Sequence, residues 1–220
     1  MLSFLSYFIN GVSLGSIYAI IALGYTMVYG IARMLNFAHG DIIMVGGFAI
    51  FTLMSTMGVP PLVSILAAMV ICTVLGVTVE RIAYRPLREA TSLAVLITAI
   101  GVSYLLQNIA LLIFGSNARQ FTSVVTLPNL KLAGGQLTIS SVTIVTIITC
   151  IVIMVGLTSF INRTKVGQAM LAVSEDKGAA TLMGIDVNRT ITITFAIGSA
   201  LAAIAGALLC STYPSLTPST

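Results

Sequence analysis

The sequence predicts an all-α fold, a polytopic transmembrane helical bundle with a helical loop on its cytoplasmic side. Three observations carry that expectation. Of the 220 residues, 58% are hydrophobic and only 7% are charged, whereas a soluble domain carries about 25% charged residues. The apolar residues fall into runs that approach or exceed the roughly 20 needed for a helix to cross hydrocarbon. One stretch, residues 163–189, mixes both charge signs with helix-forming residues. The expected organisation is one transmembrane domain over residues 1–220, with spans at about 4–31, 42–57, 62–79, 91–114, 139–161 and 190–213 and a cytoplasmic loop at 162–189.

The first run, 2–32, is uncharged and long enough to span with tilt. Gly11 and Gly15 stand in the spacing that lets helices approach closely, a spacing that also arises by chance in a glycine-rich chain. Arg33-Met-Leu-Asn-Phe-Ala-His-Gly-Asp41 follows, then a second run, 42–57. Pro60-Pro61 opens the third run, which ends at a basic segment, 80–89, broken by Pro86. A fourth run, 91–114, leads into a polar connection, 115–137, where alternation around Gly134-Gly135 predicts a hairpin. The fifth and sixth runs flank the mixed-charge loop, and the sixth is rich in Ala and Gly, as close helix packing requires.

Lys and Arg set the orientation. Segment 80–89 holds Arg81, Arg85 and Arg88, and loop 163–189 holds Arg163, Lys165, Lys177 and Arg189, so both are expected in the cytoplasm. The connection 115–137 falls outside, and parity puts 33–41 toward the cytoplasm and the N-terminus outside. No Lys or Arg precedes Arg33, so the start lacks the basic region of a signal peptide. The net charge of +4 speaks to orientation and leaves no basic face for nucleic acid. Cys72, Cys150 and Cys210 lie unpaired in apolar segments, and one histidine, His39, cannot make a multi-histidine zinc site. No metal or other cofactor is expected.

Within loop 163–189, Ala169, Ala172, Val173, Ala179, Ala180 and Met183 recur at helical spacing as an apolar stripe. Ser174 is placed to cap a second turn, with Glu175 and Asp176 in its first positions, and Gly184 to close it. The expectation is two short helices or one bent helix at the membrane surface. It rests on lipid or on its own protein, or it docks a soluble partner.

Asn36-Phe-Ala-His-Gly-Asp41 carries the chemistry nearest the membrane. Asp41 stands where it can cap the helix that follows, Gly40 loosens the backbone beside it, and His39 titrates near neutrality. One reading is a capped helix start at the cytoplasmic surface. The other is a discontinuous helix whose groups Asn36, His39, Gly40 and Asp41 line a translocation pathway, with a helix N-terminus able to face a substrate carboxylate.

Gly178-Ala-Ala-Thr-Leu-Met-Gly184 resembles the core of the coupling loop of ABC importer permeases, although Gly178 replaces the usual Glu and the later Ile-x-Leu-Pro part is absent. LNFAHGD at 35–41, ERIAYRPLR at 80–88 before a span containing Ile100-Gly101, and DKGAATLMGI at 176–185 occur in one order. Together, over about residues 14–206, they resemble permeases of branched-chain amino acid ABC importers. The resemblance implies an all-helical permease in the bacterial inner membrane that meets lipid. It also implies ABC ATPase subunits, a second related permease and a periplasmic substrate-binding protein as partners. The loop would be the coupling element, with Glu175, Asp176, Ala179, Ala180, Met183 and Gly184 at the ATPase. Members of that family continue beyond the equivalent of Thr220, so a fragment or truncated reading frame is expected.

The resemblance also admits urea or short amides as cargo. A stand-alone channel or secondary transporter would need ionisable groups inside spans, where only His39 and Asp41 are candidates. An intramembrane enzyme would need paired catalytic groups that the spans lack, and no phosphate-binding Gly-x-x-x-x-Gly-Lys-Ser/Thr occurs, so the chain is expected to be no enzyme and to leave ATP to a partner.

Overall fold

A computed structural model describes residues 2–88, 90–132 and 137–218. The helices are α1 (Leu2–Ala32), α2 (His39–Ser55), α3 (Pro61–Val79), α4 (Ser92–Phe114), α5 (Ser141–Arg163), α6 (Lys165–Glu175), α7 (Lys177–Leu182) and α8 (Val187–Thr212). Short strands β1 (Arg119–Gln120), β2 (Leu130–Leu132), β3 (Leu137–Ile139) and β4 (Ser215–Leu216) complete the described residues. Among the described residues, five helices are long and apolar enough to cross a membrane: α1, α3 with its extension, α4, α5 and α8.

The centre of the bundle is α8, packed by α1, α2 and α3. Its small residues let backbones meet without intervening side chains. A Cβ on Gly206 would stand 2.6 Å from the Ile43 carbonyl oxygen, and one on Gly46 would stand 3.0 Å from the Ala203 Cα. The first distance leaves no room for any residue but glycine. Larger side chains fill the spaces around these crossings, with Phe48, Ile42 and Cys72 on one side and Tyr84, Phe195, Ile191 and Met170 on the other. At Gly11 and Gly15, whose spacing allows close packing but also arises by chance, an added Cβ would meet nothing within 4 Å, because that part of α1 is largely exposed.

Residues 80–87 of the basic segment are helical. α3 continues through a π turn (Glu80–Tyr84) and a 3₁₀ turn (Arg85–Leu87). The wider turn lets the Arg85 amide reach the Glu80 carbonyl. Pro86, which has no amide to donate, then falls in the 3₁₀ turn rather than in a regular α-helix.

At one end of the bundle β1 pairs antiparallel with β4, tying the 115–140 connection to the chain after α8. β2 and β3 pair with Leu130 opposite Ile139 and Leu132 opposite Leu137. Their pairing is that of the expected hairpin, and its turn at Gly134-Gly135 lies outside the described residues. The other end holds the α1 C-terminus, the α3 extension, α6 and α7.

Candidate functional site

The site begins where α1 stops. Arg33 takes the left-handed conformation, φ 58°, and its amide donates to the Tyr29 carbonyl at 2.9 Å. Glycine is the usual residue at such a helix end, and a side chain there costs of order 1–3 kcal/mol. The Arg33 guanidinium donates to the Ser174 carbonyl of α6 at 2.6 Å. The Ala32 carbonyl, one residue back, accepts from Lys177 Nζ of α7 at 2.8 Å.

Residues 33–38 then run back into the bundle as a short irregular strip that ends in a turn at 37–38. Arg33, Leu35 and Phe37 face outward, and Met34, Asn36 and Ala38 face inward. The His39 ring lies 3.0 Å from the Cβ position of Gly24, which is about 12 Å along α1 from its Ala32 end. Asp41 meets Gln107, about 22 Å along α4 from its Ser92 end. α2 therefore opens inside the bundle. This explains its length of 17 residues, about 26 Å and short of the roughly 30 Å hydrocarbon core. The geometry favours the discontinuous start over the surface cap.

Asn36, His39 and Asp41 are all buried. Asn36 Oδ1 accepts from the Tyr84 hydroxyl at 2.9 Å, and Asp41 Oδ1 accepts from Gln107 Nε2 at 2.9 Å. His39 Nε2 is buried with no hydrogen-bond partner. A cavity of about 350 Å³ lies against this turn, lined by Tyr18, Ile21, Tyr25, Asn36, His39 and Gly40 among others. The expected cap by Asp41 is corrected. Ala38 holds the N-cap position without a side-chain bond, and Asp41 lies in the first turn. The helix starts earlier because the backbone already curls there, His39 N–H donating to the Asn36 carbonyl at 3.2 Å, and the Gln107 amide takes the carboxylate instead. Gly40 is helical, so it does not interrupt the turn.

The loop 163–189 forms two helices. Thr164 caps α6, accepting from the Gly167 amide at 3.0 Å, and Asp176 caps α7, accepting from the Ala179 amide at 2.9 Å. Ser174 was the expected cap, but its hydroxyl donates back to the Leu171 carbonyl at 2.7 Å, and Glu175 ends α6 instead of opening α7. Gly184, φ 81°, closes α7 as its position predicted. The apolar stripe holds only in part. Val173 and Ala180 are buried, as is Met170, Ala169 and Ala172 are half-buried, and Ala179 and Met183 are exposed. The break at Asp176 resets the helical phase, so one stripe cannot continue across it. Leu182 at 90% and Met183 at 82% exposure leave an apolar knob on α7.

Charge-pattern reasoning missed a buried cluster beside this loop. Glu80, fully buried, pairs with Arg88 and accepts from the Thr192 hydroxyl at 2.8 Å, and Arg88 also donates to Asn188. A lone acid at the end of an apolar run, with a cation two helical turns on, was the available signal. Lys177 sits nearby, and its pKa is lowered by burial first, then by Arg88 and Arg33.

An apolar bundle built around close helix crossings, with a helix that opens inside it and a two-helix element fastened to that opening, is the architecture of a polytopic membrane protein. The chain belongs to the permease-component family of branched-chain amino acid transport systems, whose profile matches residues 7–220. It is 39% identical to the high-affinity branched-chain amino acid transport system permease protein BraD of Pseudomonas aeruginosa, over 98% of this chain and 73% of that one. It is 40% identical to the corresponding protein LivH of Escherichia coli K12, over 99% of this chain and 74% of that one. A probable branched-chain amino acid transport permease LivH of Methanocaldococcus jannaschii is 27% identical over 86% of this chain and 61% of its own length. No solved structure is similar to the chain at a significant level. Permeases of this kind work with ATPase and substrate-binding proteins.

Proposed function

We propose that the chain is a permease subunit of an ATP-driven importer in the bacterial inner membrane, moving branched-chain amino acids with energy from separate ATPase subunits. A second related permease completes the pathway, and a periplasmic binding protein delivers the cargo. The chain acts as a single transmembrane domain embedded in lipid.

The observation that carries this reading is the fastening of α6–α7 to the opening of α2. Lys177 of α7 donates to the Ala32 carbonyl and Arg33 donates to the Ser174 carbonyl of α6, which ties the loop to residues 32–33, immediately before the strip that leads to Asn36, His39, Gly40 and Asp41. Movement of α7 by an ATPase would pull on residues 33–38 and change access to the cavity beside His39. The strained Arg33 turn is the hinge. Glu175, Asp176, Ala179, Ala180, Met183 and Gly184 form the coupling loop, in which the Asp176 cap and the Gly184 turn hold the knob of Leu182 and Met183 toward the ATPase. At the other end of the path, the first amides of α2 suit the carboxylate of an amino acid, and Asp41 suits its ammonium group.

The test is uptake of labelled leucine by proteoliposomes holding the assembled complex. Met183→Asp with Leu182→Asp is expected to abolish ATPase assembly and reduce uptake to background. Asp41→Asn is expected to keep assembly and lower uptake at least about ten-fold, the loss of one charge-assisted hydrogen bond. Full ATPase stimulation by the knob variant would refute the coupling role. Unchanged uptake by Asp41→Asn would remove that residue from the path.

A further inference from the structure

The cytoplasmic end holds a second polar recess, separate from the cavity beside His39 and built around the same Arg33 and Lys177 that fasten the loop. A cavity of about 330 Å³ opens between the end of α1 and the start of α4, with Arg33, Arg88 and Lys177 on its wall and Ser92 at the α4 N-terminus. An adjoining cavity of about 540 Å³ shares Arg88 and Lys177 and adds Arg85. Among the described residues, Arg88 is the only one of these cations with a carboxylate partner. Arg33 and Lys177 donate to the neutral carbonyls of Ser174 and Ala32. The cations are close enough that Arg88 and Arg33 lower the Lys177 pKa. Among the described residues no carboxylate pairs with Arg33 or Lys177, which leaves their charge open to an entering anion. Thr91 takes the Ala94 and Val95 amides, and the Ser92 and Leu93 amides at the start of α4 add to the attraction.

The rim points to the source of that anion. Tyr29 and Leu35 line the cavity and are 50% and 38% exposed, and Leu93 of the adjoining first turn of α4 is 64% exposed. An amphipathic Tyr and two aliphatic side chains beside a basic recess match a phosphate at headgroup depth with its acyl chains along α1 and α4. We propose that this recess binds the phosphate of an anionic phospholipid, held by Arg33, Lys177 and the α4 N-terminus. Bound there, the lipid would bridge α1, α4 and α7, three elements that otherwise share few contacts.

The test titrates the full chain in neutral detergent with phosphatidylglycerol or phosphatidylcholine and reads the adducts by native mass spectrometry. The wild-type chain is expected to hold phosphatidylglycerol at least about ten-fold more tightly than phosphatidylcholine. Arg33→Gln with Lys177→Gln is expected to weaken phosphatidylglycerol roughly five-fold for each charge removed. Arg33→Lys with Lys177→Arg, which keeps the charges, is expected to retain the preference. Arg163→Gln with Lys165→Gln, at the same end but outside the cavity, is expected to leave it unchanged. An unaltered preference in the glutamine pair overturns the proposal, as does loss of preference in the charge-conserving pair. Equal loss in the Arg163 and Lys165 variant overturns it in favour of general surface attraction. Displacement by inorganic phosphate at the concentration of the lipid would assign the recess to a soluble phosphate. Release of the lipid on assembly with the cognate ATPase subunit would assign it to an acidic side chain of that protein. Both outcomes overturn the lipid reading.

Discussion

α5 and α8 are both uninterrupted apolar helices, 23 and 26 residues long, and either could be taken for a span in any membrane protein. Yet 67% of the apolar window of α8 is buried inside the protein, against 11% for α5. The difference lies in side-chain size and not in apolarity. α8 carries Ala and Gly at the turns where α1, α2 and α3 cross it, whereas Ile148, Ile151, Val152 and Val155 of α5 point outward. In lipid there is no hydrophobic gain from helix association, so close backbone contact and shape decide which helix becomes the centre.

The strongest way to break this contrast is at glycine. Gly206→Leu pushes a branched side chain into the Ile43 carbonyl and is expected to abolish the folded bundle, whereas Gly156→Leu on α5, with nothing within 4 Å, should stay within about 0.5 kcal/mol of the parent. Monodispersity and thermal unfolding in detergent distinguish them, and equal tolerance would mean that the packing around α8 is wrong. Arg88→Ala comes next. It strands the fully buried Glu80 at the foot of α8 and should cost about 3–5 kcal/mol, while Arg163→Ala at the exposed end of α5 should cost almost nothing. The same melts measure it. Thr192→Val removes one hydroxyl donor to Glu80 and should cost about 1 kcal/mol.

The smallest effect is a pH dependence. Lys177 has a folded pKa below the ordinary lysine range, from burial and then from Arg88 and Arg33. Between that lowered value and the usual lysine value the unfolded chain binds the extra proton, so this group's contribution to stability rises with pH across that window. Melting curves of the parent and Lys177→Met from pH 8 to the lysine range should converge or cross in that direction. A parent that loses stability relative to the variant as pH rises would contradict the assignment.

Much of the candidate site could be read from residue types, but not its geometry. The polar hexapeptide at 36–41 and the loop at 163–189 stand out because polar residues are rare in this chain. The partners of these groups do not stand out. Gln107 is 66 residues from Asp41, Tyr84 is 48 from Asn36, and Lys177 is 145 from Ala32. Local periodicity carries no information over such separations. The failed Ser174 cap has the same origin: both Ser174 and Asp176 have capping side chains, and the choice followed from where α6 could stop against α1 and α5.

By itself, the sequence determined that this protein lies in a membrane, that it is helical, which loop carries the mixed charge, and that Gly184 ends α7. Those properties depend on transfer free energy, helical hydrogen bonding and the steric freedom of one residue, all of which are local. Only the tertiary structure decided that α2 begins inside the bundle, that Glu80 is paired and not solvated, and that α8 is the centre while α5 faces outward. These depend on which side chains meet across helices, and in lipid that is governed by shape and by paired polar groups, which no local pattern records.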